Sequence, residues 1–211
     1  MRKRDLAWLG LLSLAIVCSL AIQFASNMAA GAARRLPPSA QPPAVAEGDI
    51  VFGRADAPAT VIAFVSLTCL HCRRWEAEQM PEIQRTLVET GRLRLIVRDF
   101  PLDAAALRAS ALVRCLPEGD RAAAHRALLS TMEGWAGGEP GRMAGVAGLA
   151  GAASASVLSC AQGGAPVRAV LEAVRKAELD YGIRVTPSFV AGGMVVAGEQ
   201  TAADLAALTS R

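Results

Sequence analysis

The chain has 211 residues, 53% hydrophobic and 19% charged, which is enough apolar material for one real core plus appendages. Its formal charge of +3 is confined to the N-terminal stretch. There Arg2, Lys3, Arg4, Arg34 and Arg35 stand against Asp5 and Glu47, while residues 49–211 carry 17 basic and 17 acidic side chains. A neutral body without a basic, aromatic-laced patch argues against nucleic acid as a partner.

Residues 1–33 read as a targeting segment. Arg2-Lys3-Arg4 is a positive start, Leu6 to Ile22 is a run of 17 residues without charge, and Ala30-Gly31-Ala32 fits a small-residue cleavage site. The run is longer than a usual signal core and shorter than a comfortable span, so a cleaved signal peptide and a retained anchor through residues 6–28 both fit. Either way the positive end stays inside and the remainder is exported. Cys18 lies in the apolar run and reads as a spectator, because Val17 is too large for a lipoprotein cleavage signal. Residues 34–48, with Pro37, Pro38, Pro42 and Pro43, read as an extended Pro-rich linker.

Order is expected from Asp49. Ile50-Val51-Phe52 predicts a short strand, Gly53 to Pro58 a turn, and residues 60–66 an apolar core strand. A helix follows from Cys69 to Thr90, kinked at Pro81 and closed at Gly91. Residues 92–98 form a second core strand, giving a right-handed βαβ unit with a parallel pair. From Leu102 to Tyr181 no strand pattern occurs. Ala-rich segments at 103–116, 120–134, 142–151, 153–162 and 165–181 predict helices separated by Gly and Pro breaks. Strands return at 188–191 and 194–197 around Gly192-Gly193, a hairpin signal, and a last helix over 201–209 has Thr201 as its N-cap. The fold class is α/β, with a core over 49–101 and 182–211 split by an all-helical insertion over 102–181.

Chemistry concentrates in Cys69-Leu70-His71-Cys72, which follows the core strand and opens the helix. Cys69 at a helix N-terminus meets free backbone N–H groups and the positive end of the dipole, which favour a thiolate. Cys69 is the candidate nucleophile, Cys72 on the next turn the resolving thiol, and His71 a neighbour that favours the thiolate. A metal reading is disfavoured, because Cys69, His71 and Cys72 on one turn cannot readily surround a tetrahedral ion and no second cluster exists. C-type haem attachment needs a His where Arg73 stands. No cofactor is expected.

The four cysteines beyond Cys18 are Cys69, Cys72, Cys115 and Cys160, an even count that in an exported chain fits two disulfides. Cys115 and Cys160 have no motif spacing and read as buried free thiols or as a structural disulfide, which an oxidising compartment favours. Closing that loop would contribute on the order of 4 kcal/mol. His125 reads as a helix-surface or half-core residue rather than a ligand, and Trp75 and Trp135 as packing.

These residues together resemble the DsbA-like branch of exported thiol:disulfide oxidoreductases. The carrying pieces are Val61 to Ser66 before Cys69-Leu70-His71-Cys72, Pro81-Glu82-Ile83, Gly91 to Arg94, Arg98-Asp99-Phe100-Pro101-Leu102, and Val185-Thr186-Pro187-Ser188-Phe189. The resemblance implies a thioredoxin-like fold with an inserted helical domain and a location in the bacterial periplasm, soluble after signal cleavage or anchored to the inner membrane. It also implies exported protein substrates with free thiols, a membrane redox partner that recycles the disulfide, and a cis-proline loop in which Thr186 and Pro187 pair with substrate. Some members carry a second, non-catalytic bridge in the helical domain. The chain departs from the family in having Leu70 where proline is usual and Ala63 where many relatives place a buried acid. The expected reaction is oxidation of exported thiols; a reductase or isomerase, and a CxxC metallochaperone, are the alternatives.

Overall fold

The computed structural model describes residues 33–37, 44–137, 140–146 and 151–210. The expected targeting segment, with Cys18, and residues 38–43 of the expected linker lie outside the described residues. Among those described, no helix is long and apolar enough to cross a membrane.

A six-stranded sheet carries the molecule. Its strands are β1 (Arg34–Arg35), β2 (Ile50–Phe52), β3 (Ala59–Val65), β4 (Leu93–Asp99), β5 (Ser188–Ala191) and β6 (Met194–Ala197). The order is β1-β6-β5-β3-β4-β2. Only β3 and β4 run parallel, with Ala63 opposite Val97 and Val65 opposite Asp99. The other pairs are antiparallel. The central strand β3 is apolar on both faces because both faces are covered, as a strand with crossover helices requires.

Strand alternation sorts the core into two layers. Val61, Ala63 and Val65 face a cluster with Trp75, Ile83, Leu87 and Leu205, which also takes in Leu112, Leu128 and Trp135 of the insertion. Ile62 and Phe64 face the other side, against Phe100, Ala177, Tyr181 and Ile183. The first layer is covered by α1 (Leu70–Glu78), α2 (Met80–Ile83) and the closing helix α9 (Ala202–Thr209). The expected single helix over 69–90 is therefore divided. Pro81 lies in the first turn of α2, where its missing N–H costs nothing, and the chain continues through a π-helical turn, Gln84–Val88.

Between β4 and β5 the described residues hold helices: α3 (Ala104–Arg114), α4 (Glu118–Ser130), α5 (Met132–Trp135), α6 (Pro140–Val146), α7 (Gly151–Gln162) and α8 (Gly164–Tyr181). Asp103 caps α3 by accepting from the Ala106 N–H at 2.8 Å. Gly182, at φ 63°, ends α8 in the left-handed conformation. Gly192 and Gly193, both at positive φ, turn β5 into β6, and a Cβ at Gly192 would lie 2.3 Å from the Leu208 carbonyl. Thr201 and Asp204 form a reciprocal capping box on α9.

The expected linker is pinned at both ends. Arg34 and Arg35 pair with Val195 and Met194, the Arg34 guanidinium donates to the Tyr181 carbonyl, and the Leu36 N–H donates to the Gly193 carbonyl at 2.8 Å. Leu36 is buried in one cluster with Phe64 and Tyr181, which stabilises by about 2 kcal/mol and anchors a stretch expected to be a free linker. At the other end Arg98 of β4 makes a buried bidentate pair with Asp49 at 2.8 and 2.7 Å and donates to the Ala44 carbonyl at 2.7 Å. His125, expected at the surface or half-buried, is 4% exposed, with Nε2 3.5 Å from Asp99 Oδ1. The pair joins α4 of the insertion to the end of β4.

Candidate active site

The site begins where β3 ends. After Val65 the chain turns through Ser66-Leu67-Thr68, with the Cys69 N–H donating to the Ser66 carbonyl at 3.1 Å. The Thr68 hydroxyl donates to Asp103 at 2.6 Å and the Leu102 N–H to Ser66 Oγ at 3.3 Å, so the segment after β4 braces this turn. Cys69 is the N-cap of α1, with extended backbone at φ −90° and ψ 120°. Its sulfur therefore sits among the unpaired amides of the first turn.

The two thiols differ sharply. Cys69 is half-buried and Cys72 is fully buried in the core. The Cys69 thiol is held down to about 5, first by the Cys72 thiol hydrogen bond and then by Thr186 and the backbone N–H groups of Cys72 and His71. Burial pushes Cys72 far up, and the neighbouring Cys69 adds to that shift. The amides that act on the Cys69 sulfur are those of His71 and Cys72, not that of Leu70, which stands where the resembling family usually has proline. The Leu70 side chain is instead 56% exposed beside Cys69.

The segment before β5 supplies the other wall. The Thr186–Pro187 peptide is cis, and the Cys69 thiol donates to the Thr186 carbonyl at 3.3 Å. Thr186 is 9% exposed and its hydroxyl has no partner among the described residues. Ala63 lies in the middle of β3, opposite Val97 and Phe189, at the position where a carboxylate was noted as missing.

His71 does not turn its ring to a thiol partner. Nδ1 lies 3.0 Å from Glu199 Oε1 in the loop between β6 and α9, and the same carboxylate accepts from Arg74 Nε at 2.9 Å to each oxygen. Arg74 and then His71 hold the Glu199 carboxyl below its ordinary range. Sequence reading missed Arg74 and Glu199, because a loop carboxylate 128 residues from its partner leaves no periodic or motif signal.

The second cysteine pair lies in the insertion. Cys115, at the end of α3, is bonded to Cys160 of α7, with Cα atoms 6.0 Å apart and a separation of 45 residues. Among the described residues no group of three or more His, Cys, Asp and Glu is placed to hold a metal ion.

A family model described as Thioredoxin matches residues 45–210. The chain belongs to the thioredoxin family. It is 32% identical over 69 residues to a protein of Rickettsia bellii named as a protein-disulfide oxidoreductase, a match covering 33% of this chain and 27% of that one. The chain thus spans about a quarter of the length of that relative. In architecture it is similar to Wolbachia pipientis alpha-DsbA1, at 22% identity and a TM-score of 0.65, with 74% of this chain and 85% of that chain covered. It is equally similar to a protein-disulfide isomerase of Novosphingobium aromaticivorans, at 21% identity and a TM-score of 0.65, covering 77% and 96%. The family's thioredoxin-like fold, here with its helical insertion, is DsbA-like. A partly exposed low-pKa thiol beside a buried one is chemically competent for dithiol–disulfide exchange.

Proposed function

We propose that this protein is a thiol:disulfide oxidoreductase of DsbA type that oxidises thiols of newly exported proteins. The observation that carries the reading is the asymmetry of the pair: Cys69 half-buried and held to about 5, and Cys72 fully buried. A substrate thiolate attacks Cys69 Sγ of the Cys69–Cys72 disulfide; the S–S bond breaks and Cys72 leaves, taking up a proton. A second substrate thiolate attacks the substrate sulfur of the mixed disulfide, and Cys69 leaves as a thiolate. The substrate loses two electrons and two protons. The protein gains the two electrons, one proton stays on Cys72 and the other enters solvent. A thiolate stable at neutral pH is a good leaving group and favours the reduced protein, so the pair acts as an oxidant.

The surroundings suit an extended apolar protein segment. Leu70, Leu102 and Val185 are each more than half exposed, beside Cys69, Ser66 and Thr186 respectively. Thr186 and Pro187 are proposed to face the substrate backbone. On the other side of Leu70 a groove of about 710 Å³ runs along α1 and α4, with Leu70, Ala77 and Leu129 in its lining beside the basic side chains of His71, Arg74 and Arg126. We place the protein in the bacterial periplasm, delivered by residues 1–33 and tethered through residues 6–28 if that segment is retained, with a membrane redox partner reoxidising Cys69–Cys72. The Cys115–Cys160 bridge has a structural role. The reading is tested by equilibrating the purified protein in glutathione buffers and counting thiols. A potential well above that of thioredoxin supports an oxidase, and one close to thioredoxin assigns a reductase.

A further inference from the structure

His71 and Arg74 stand three residues apart on α1 and so share a face of the helix, with Arg74 Nη2 3.3 Å from His71 Nδ1. Both converge on Glu199. The His71 and Arg74 side chains are 67% and 55% exposed, but the carboxylate between them is only 19% exposed. Glu78 is the other acid acting on Arg74, whereas Arg73 turns away to Glu133. The loop does not depend on Glu199 for its place. Trp75 Nε1 donates to the Gln200 carbonyl at 3.0 Å, and the Thr201–Asp204 capping box fixes the next residues.

A thiolate at Cys69 is stabilised by positive charge near it and opposed by negative charge. Glu199 places a carboxylate on two of the three cation-capable side chains of α1 that follow Cys69, His71 and Arg74. We infer that Glu199 is a positioning residue that sets the redox poise of the Cys69–Cys72 pair, by neutralising Arg74 and fixing the His71 ring through Nδ1. Glu199 thereby holds the oxidising strength of the site below what a free His71 and Arg74 give it. The inference rests on the reading of Cys69 and Cys72 as the exchanging pair.

The test compares wild type, Glu199→Gln and Glu199→Asp in glutathione buffers at pH 7, with thiols counted at equilibrium. Glutamine keeps the shape and one acceptor oxygen but removes the charge. It is expected to shift the equilibrium constant toward the reduced protein by about threefold, the size of one screened charge near a surface. Glu199→Asp keeps the charge and falls between the two. Raising the salt concentration narrows the gap between wild type and Glu199→Gln. A merely structural role would change the unfolding midpoint and leave the equilibrium constant alone. An unchanged constant in Glu199→Gln, or a shift toward the oxidised form, overturns the inference while the exchange reading stands. A wild-type protein that forms no Cys69–Cys72 disulfide at any glutathione ratio removes the reading itself, and the inference with it.

Discussion

The two cysteine pairs make the same atoms do opposite things. Cys69 and Cys72 are one helical turn apart, and their closure constrains almost nothing beyond that turn. Cys115 and Cys160 lie 45 residues apart and tie the end of α3 to α7, so their bond removes a large share of the freedom of the unfolded insertion. At the first pair the surroundings discriminate between the sulfurs: at Cys69 the Cys72 thiol, Thr186 and the helix amides outweigh partial burial, whereas at Cys72 burial in the core dominates. What separates a reactive dithiol from a staple is therefore local electrostatics and loop length, not the presence of the residue.

The sharpest break in that contrast is chemical. Cys69→Ser is expected to abolish exchange, to the background rate of free thiols, with the fold intact by circular dichroism. Cys72→Ser is expected to trap mixed disulfides with substrate, visible on non-reducing gels. Exchange that survives Cys69→Ser would move the nucleophile elsewhere. The second break is thermodynamic. The double variant Cys115→Ser with Cys160→Ser is expected to lose on the order of 4 kcal/mol of stability, read from the denaturant midpoint, while the glutathione equilibrium of Cys69–Cys72 stays put. A changed equilibrium there would couple the two pairs.

Legibility in the sequence follows the same division between local and distant interactions. The Cys69-Leu70-His71-Cys72 spacing, the apolar run of β3, the Gly192-Gly193 turn and the Thr201 cap were readable because each is a local pattern whose physics acts over a few residues. The Ala-rich helices of the insertion were readable by period, although the helix expected over 120–134 is broken at Thr131 into Glu118–Ser130 and Met132–Trp135. The antiparallel pairing of Arg34–Arg35 was not: an exposed two-residue edge strand has no period, and it is held by distant partners, the β6 backbone, the Tyr181 carbonyl and the core around Leu36. The Asp49–Arg98 pair and the contact of buried His125 with Asp99 were equally hidden. Each joins segments whose approach is decided by the whole sheet. Glu199 is the functional case of that rule.

The third expectation is the pH dependence of the reactive pair. A depressed Cys69 pKa stabilises the reduced fold fully above the ordinary thiol range, progressively less as pH falls, and not at all below about 5. Reduction takes up two protons below that value and one above it. The potential is therefore expected to fall by about 60 mV per pH unit below pH 5 and by about 30 mV per pH unit at neutral pH. A single steep slope through pH 7 would show that Cys69 stays protonated there, removing the physical basis for an oxidant.

The smallest expected effect concerns Thr186. Its hydroxyl is buried, has no partner among the described residues, and belongs to the groups that lower the Cys69 pKa. A hydroxyl without a partner is a standing cost that a neighbouring thiolate relieves by accepting from it, whereas a neutral thiol does so weakly. Thr186→Val keeps the shape of the side chain and removes that donor. Because a single hydrogen bond contributes about 1 kcal/mol, the midpoint of the Cys69 thiolate absorbance titration should rise by less than about one pH unit. The glutathione equilibrium should move toward the oxidised protein by the corresponding factor, under tenfold. The Cys115–Cys160 bridge offers the internal control: its contribution to the denaturant midpoint does not pass through Thr186, so it should be the same in both backgrounds. A titration midpoint that does not move would assign the low Cys69 pKa to Cys72 and the helix amides alone.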